Sequence, residues 1–466
     1  MRIIPRLDIK TENVVKGVCF EGLRVVGNPY ELVNRYYNQG ADEVLYIDTV
    51  ASLYRRKNLK AILSQAVEKL PIPLTVGGGI ASLKDIEELL HAGADKIAVN
   101  TYALNNPSFI GEAAKEFGSQ SVVVSINAKL IEKGRWVPWT DNAREPTDID
   151  VFDWIKIALG HGAGEIFLTS IDGDGRLLGL DYELIEKASK IIDVPFVVGG
   201  GVASESDIQS LKGLNIDGLT VASFLHYEKG TVSDIKRWAG LNRNPAGFSS
   251  PCETKFHLNK NKVVGILEYG CGNIFSLCRS LELIGVSFKI IYSTDELARV
   301  DSLILPGVGA FGHAMNRLNE KGFVEALHHF AESNKPILGI CLGAQLLLDS
   351  SEEFGSFSGL SLIPGCVKKI EKTTSAYKIP NVGWRQLVRG SCKAPNASLE
   401  TKYFYFTHSY RMLVNEKNSM YEIDYSGGKI AAFVTDGRNV FGAQFHPEKS
   451  STQGLNFLNW FCSLVH

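Results

Sequence analysis

Apolar and polar positions alternate along the first 240 residues in two rhythms. Short apolar runs such as "PIPLTVGGG", ending at Gly79, and "VPFVVGGG", ending at Gly201, stop abruptly in glycine and predict buried strands that run into tight turns. Between them, "LKDIEELLHA" from Leu83 and "SDIQSLKGL" from Ser206 space their apolar residues by three and four, which predicts helices with one buried face. Strand and helix alternate throughout this half, which calls for a parallel sheet.

The pattern also repeats. "GADEVLYIDT" from Gly40 is echoed by "GAGEIFLTS" from Gly162, 122 residues on, and "GADKIAVNT" from Gly93 by "NIDGLTVAS" from Asn215, again 122 residues on. The triplet Gly77–Gly78–Gly79 recurs as Gly199–Gly200–Gly201 at the same offset. "MRIIPRLDIK" is echoed by "SVVVSINAKL", which places Asp8 and Asn127 in equivalent positions. Residues 1–240 therefore read as two copies of a unit with four strand–helix pairs, and eight such pairs close into a (β/α)8 barrel. A flat doubly wound sheet is the competing architecture, but two equal halves close with no edge strand left over.

In such a barrel the chemistry sits at the C-terminal ends of the strands. Asp8, Asn127, Gly79, Gly200, Gly201, Asn100, Thr101, Ala222 and Ser223 all fall there. One glycine triplet alone reads as a tight turn. Two matched sets predict two backbone anion cradles facing each other across the mouth, and so an elongated substrate with a phosphate at each end. At the opposite end, Arg2, Glu43, Lys96 and Glu165 begin their strands. They form either a surface rim or, if they point inward, a paired charged ring across the barrel floor.

Periodicity breaks over residues 241–261, a Gly-, Asn-, Ser-, Pro- and Lys-rich stretch that reads as a linker, and a second domain is expected over 262–466. In that domain "PILGICLGAQLLL" runs an apolar strand into a Gly-x-Cys-x-Gly turn and then a helix, a nucleophile elbow with Cys341 as the nucleophile. A cysteine nucleophile needs a base oriented by a third group. His446, with Glu448 two residues on, fits better than His408, which has no neighbouring carboxylate in sequence. Backbone around Gly307, Val308 and Gly309 and the N–H of Leu342 are the expected oxyanion donors. These residues describe acyl transfer through a thioester. Peptide cleavage and hydrolysis of a small amide both remain open.

Composition narrows the partners. The chain of 466 residues is 45% apolar and 21% charged with a net charge of −2, which gives no reason to expect a nucleic-acid or membrane partner. No apolar run approaches the ~20 residues of a membrane span. The N-terminus lacks the layout of a signal peptide. Eight scattered cysteines without a CxxC pair fit reduced thiols in the cytoplasm rather than a disulfide frame or a zinc site. No metal or cofactor is expected.

At this point "GICLGAQ", "PGVGAFG", "PNVGW" and "FHPEKS" resemble the class I glutamine amidotransferases. "VKGVCFEGLR", "TVGGGI", "FGSQSVVV" and "GAGEIFLTSIDGDG" resemble the cyclase subunit of imidazole glycerol phosphate synthase. The resemblance covers nearly the whole chain. It implies that Cys341, His446 and Glu448 hydrolyse L-glutamine, and that the glutaminase docks intramolecularly on the barrel floor. It further implies that ammonia passes a gate of Arg2, Glu43, Lys96 and Glu165. Lys16, Asp174 and the two cradles would hold a diphosphorylated ribulosyl substrate, split and cyclised to imidazole glycerol phosphate and an aminoimidazole carboxamide ribonucleotide.

Two residues depart from the family. Its acid–base pair is Asp8 and a second aspartate where Asn127 stands here, and Arg6 occupies the usual position of a cysteine. An amide cannot carry a proton back and forth as a carboxylate can. Either the chain is a synthase that tolerates Asn127, with Asp174 a possible substitute carboxylate, or it is a paralogue giving its ammonia to another acceptor, such as a surface-polysaccharide sugar. In a variant of the second reading the barrel only binds and conducts. A third reading, an engineered substrate trap, would not need the further change at Arg6. The chemistry at Asn127 leans toward the second.

Overall fold

The structure, a computed structural model, describes residues 1–51, 70–241, 262–374, 377–392 and 399–464. The chain divides into two compact units, one of the described residues up to 241 other than 115–118, the other of the described residues from 262 on with 115–118. Apart from Leu241, the expected linker over 241–261 lies outside the described residues.

The first unit is a closed barrel of eight parallel strands: β1 (Arg2–Lys10), β2 (Val44–Asp48), β3 (Leu74–Gly77), β4 (Lys96–Val99), β5 (Val122–Glu132), β6 (Glu165–Ser170), β7 (Phe196–Gly199) and β8 (Gly218–Val221). Each pairs with the next, and β8 returns to β1 with Arg2 opposite Gly218 and Ile4 opposite Thr220. The strands are built from apolar, mostly β-branched runs because both of their faces are covered. The helices close around them by the spacing read from the sequence. Leu83–His91, for example, buries Ile86, Leu89 and Leu90 and is capped by Ser82, whose hydroxyl accepts the Asp85 N–H.

Side chains alternate in and out along each strand, so the lumen is layered. Ile4, Leu45, Ala98, Val123, Phe167 and Val197 form an apolar middle layer. Stepping by two along β1 places Arg2 below that layer and Arg6 and Asp8 above it. The hairpin strands Asn13–Val18 and Glu21–Gly27 extend from β1 on the upper side.

The second unit is built on an eight-stranded sheet: β9 (Val264–Leu267), β10 (Phe288–Ile291), β11 (Ser302–Leu305), β12 (Ile337–Ile340), β13 (Val388–Arg389), β14 (Ser419–Tyr425), β15 (Gly428–Thr435) and β16 (Val440–Ala443). Its order is β10-β9-β11-β12-β16-β15-β14-β13, parallel from β10 to β16 and antiparallel beyond. Cys341 follows β12, at the centre of the sheet.

Candidate active sites

The floor of the barrel is a closed ring of charge. Arg2 bonds both Glu43, at 2.6 Å, and Glu165; Lys96 bonds Glu43 at 2.7 Å and Glu165 at 2.5 Å. Thr75, which the sequence did not single out, donates its hydroxyl to Glu43 at 2.5 Å. All four charged side chains are buried, so these residues point inward and are not a surface rim. Burial opposes ionisation of Glu43, but Lys96 and Arg2 outweigh it and hold its carboxyl below the usual range. Two cations and two carboxylates leave the ring neutral. Lys96→Met strands two buried carboxylates on one arginine and is expected to cost the barrel about 3–5 kcal/mol. Denaturant unfolding measures it, and a cost below about 1 kcal/mol, the range of exposed pairs, would mean the ring is solvated.

Above the apolar layer, Asp8 is clamped on both oxygens. Arg6 Nε donates to its Oδ1 at 2.7 Å, and Lys16 Nζ to its Oδ2 at 3.0 Å. Lys16 Nζ also reaches Asp174 Oδ2 at 2.7 Å, so Asp174 is the second partner of Lys16 and not an isolated carboxyl. Burial alone would raise the Asp8 carboxyl, but Arg6 and Lys16 overcome it and hold it at about 2. A carboxylate in that state is a poor proton carrier at neutral pH. Arg6 is fixed in turn by Thr169, 3.3 Å from its Nη1, and by the rings of Phe20 and Phe167, whose centroids lie 5.1 and 5.7 Å from its Cζ.

Asn127 is buried on the opposite wall and lines a cavity of about 670 Å³ with Gly79, Asn100, Thr101 and Arg6. Gly200, Gly201, Ala222 and Ser223 line a separate cavity of about 20 Å³, which also touches Arg6 and Asp174.

In the second unit the elbow is tight. Cys341 has φ 52° and ψ −107°, a left-handed conformation that non-glycine residues hold only under constraint. A Cβ on Gly343 would lie 1.9 Å from the Leu305 carbonyl oxygen, which is why glycine follows the nucleophile. The Cys341 N–H is tied to Ala443 O at 2.7 Å, which fixes the turn to β16.

His446 Nδ1 lies 2.8 Å from Glu448 Oε1, and the ring also interacts with the Cys341 side chain. Burial disfavours the imidazolium, but Cys341 and Glu448 together outweigh it and hold His446 well above its ordinary value. His408 is engaged at both ring nitrogens, by Tyr410 O at 2.7 Å and by Asn381 at 3.0 Å, and burial pushes it down to about 4. Among the oxyanion candidates, the Val308 N–H donates to Cys271 O at 3.0 Å. It serves an oxyanion only after leaving that carbonyl.

Three buried polar residues of the second unit escaped the sequence reading. Gln345 donates to Tyr410 O at 3.0 Å and to Gln444 Oε1 at 3.1 Å, and Gln444 Nε2 lies 3.9 Å from the Cys341 sulfur. Glu353 accepts the Phe311 N–H at 2.7 Å, and burial raises it to about 7. Gln345 lies within the elbow motif itself. Glu353 sits in the acidic run "SSEEF", which gives no sign of burial.

Two sites are therefore joined in one chain: a buried cysteine elbow with a histidine–glutamate pair, and a barrel mouth with a doubly held Asp8. Residues 2–231 match the family model described as Histidine biosynthesis protein, and residues 266–463 match Glutamine amidotransferase class-I. The imidazole glycerol phosphate synthase subunit HisF of Legionella pneumophila is 54% identical over 202 residues, 43% of this chain and 95% of that protein. The HisF subunit of Dictyoglomus thermophilum is 42% identical over 237 residues, 51% of this chain and 94% of that protein. The chain belongs to the HisF family of imidazole glycerol phosphate synthase subunits, with a class-I glutamine amidotransferase following in the same polypeptide. It is an enzyme of the imidazole glycerol phosphate synthase type. Among the described residues no helix is long and apolar enough to cross a membrane.

Proposed function

We propose that the chain hydrolyses glutamine at Cys341 and delivers the ammonia through the barrel to an acceptor at its mouth. In this reading the thiolate attacks the side-chain amide carbonyl, His446 gives its proton to the departing ammonia, and Glu448 keeps the imidazole oriented. Water then hydrolyses the thioester to glutamate, with His446 taking the proton back. Leu342 and the backbone at 307–309 carry the oxyanion. Ammonia enters at the ring of Arg2, Glu43, Lys96 and Glu165, where one ion pair must part, and crosses the apolar layer unprotonated. Free in water at neutral pH it would be mostly ammonium and no nucleophile, so a dry passage is what makes the fusion useful.

At the mouth, the reading that fits best is a paralogue whose barrel binds and conducts and which aminates an acceptor other than the diphosphorylated ribulosyl substrate, such as a sugar of a surface polysaccharide. The observation that carries this is the clamp on Asp8. With Asn127 in place of the second carboxylate and Asp8 held ionised by Arg6 and Lys16, the mouth lacks the pair of free carboxylates that the resemblance calls for. Formation of imidazole glycerol phosphate is the other reading, supported by the similarity to HisF subunits. Incubation with glutamine labelled at its amide nitrogen and the diphosphorylated ribulosyl substrate separates them. Labelled ammonia with no imidazole product is expected, and labelled imidazole glycerol phosphate would overturn the proposal.

A further inference from the structure

His408 rivals His446 in the sequence but is not the base of the proposed hydrolysis. Its partners give it another role. It ends the strand Tyr403–His408 and stands opposite Asn381, the first residue of the antiparallel strand Asn381–Gln386. Both side chains are buried. The strand that His408 ends also reaches the elbow. Thr407 O lies 3.8 Å from the Cys341 sulfur, and Tyr405 O accepts the His446 N–H at 2.9 Å.

Donors and acceptors in this cluster face each other in one way only. The Arg385 guanidinium only donates, and its Nε lies 2.9 Å from Asn381 Oδ1. That contact turns the Asn381 amide nitrogen toward His408 Nε2, 3.0 Å away, so Nε2 is an acceptor and carries no proton. The proton of the neutral ring is therefore on Nδ1, where Tyr410 O, an acceptor only, lies at 2.7 Å. A second proton on Nε2 would meet the Asn381 N–H head on.

The Tyr410 carbonyl takes another bond, from Gln345 Nε2 at 3.0 Å. Gln345 Nε2 also donates to Gln444 Oε1 at 3.1 Å, which turns the Gln444 Nε2 toward the Cys341 sulfur, 3.9 Å away. Gln345 and Gln444 are both buried. The direction of this chain fixes its effect. An amide N–H aimed at the sulfur favours the thiolate, and an amide oxygen in its place would oppose it. His446 and the Tyr269 phenol also interact with that sulfur.

We propose that His408 is a positioning residue of the thiol site. As the Nδ1–H tautomer set by Arg385 and Asn381, it holds the Tyr410 carbonyl where Gln345 orients the Gln444 N–H toward the Cys341 sulfur. This rests on the reading of Cys341 as the nucleophile, and it names what readies the sulfur.

Nitrogen NMR of the full chain, labelled at its histidine rings, reads the tautomer, with His408 assigned by loss of its signals in His408→Asn. A neutral ring with its proton on Nδ1 is expected at pH 7. A proton on Nε2, alone or in an imidazolium, would overturn the proposal. Alkylation of Cys341 by iodoacetamide, followed by mass spectrometry of its peptide, reads the far end of the chain. His408→Leu leaves Tyr410 O without its donor, and Gln444→Leu removes the N–H at the sulfur. Each is expected to slow alkylation about tenfold at pH 7. His408→Asn sets an amide N–H close to the place of Nδ1 and should recover most of that loss. A site merely loosened by substitution would expose the sulfur and alkylate faster. An unchanged or faster rate in either leucine variant would therefore overturn the proposal, as would an asparagine variant no better than His408→Leu. Neither measurement needs turnover, so a failure here is distinct from an absence of glutamine hydrolysis.

Discussion

Cys341→Ala is expected to abolish glutamate formation from glutamine while leaving amination by added ammonium intact at alkaline pH. Loss of a nucleophile that works as one unit with its base costs about a millionfold in turnover. For the same reason, adding His446→Ala to Cys341→Ala should cost little more. The barrel keeps its own contacts in this variant, so any reaction it hosts should run on ammonia from solution. Glutamate release followed with an enzymatic assay reads the first effect, and ammonium-dependent consumption of the acceptor reads the second. Residual glutaminase within about tenfold of the unaltered chain would mean that the sulfur is not the nucleophile. Loss of the ammonium-driven reaction as well would mean that the two chemistries are not separable in the way proposed.

The second large effect concerns the barrel mouth. Restoring a carboxylate by Asn127→Asp leaves Asp8 clamped between Arg6 and Lys16, so that change alone is expected to yield little cyclase activity. Arg6→Cys alone frees one oxygen of Asp8 but leaves an amide opposite. The two together supply both proton carriers, and a gain of about a hundredfold or more in imidazole product is expected over either single change. Arg6→Cys also shifts the pH dependence of stability. Asp8 is depressed from 3.8 to about 2, so its contribution is present above the unfolded value and is lost as pH falls through about 2. Without Arg6 the folded value moves up toward the unfolded one, and Lys16 alone keeps part of the contribution. Acid unfolding should therefore begin at higher pH in Arg6→Cys. Equal activities in the single and double variants would show that the clamp is not what silences the mouth.

Much of this architecture is legible in the sequence because its causes are local or periodic. The repeat offset of 122 residues and the strand–helix alternation point to a barrel without any long-range information. The elbow around Cys341 is legible because each of its glycines answers a steric demand within a few residues. The inward direction of Arg2, Glu43, Lys96 and Glu165 was not, since a strand-end charge faces in or out only once the barrel closes and fixes the register. The Asp8 clamp depends on Asp174, 158 residues from Lys16 in the chain. Arg6 was visible as a departure from the family, but not as a second hand on Asp8. Around the elbow, the commitment of the Val308 N–H to Cys271 is a backbone contact that no side-chain pattern reports.

The account turns on Asp8 being an ionised, doubly held group and not a working base. Titration of its carboxyl carbon by NMR, with label introduced at aspartate and the resonance assigned by loss in Asp8→Asn, measures this directly. The account predicts a midpoint near the depressed value of about 2, with no second inflection approaching neutrality. A midpoint at or above the ordinary carboxyl range of about 4 would contradict it and return Asp8 to acid–base duty.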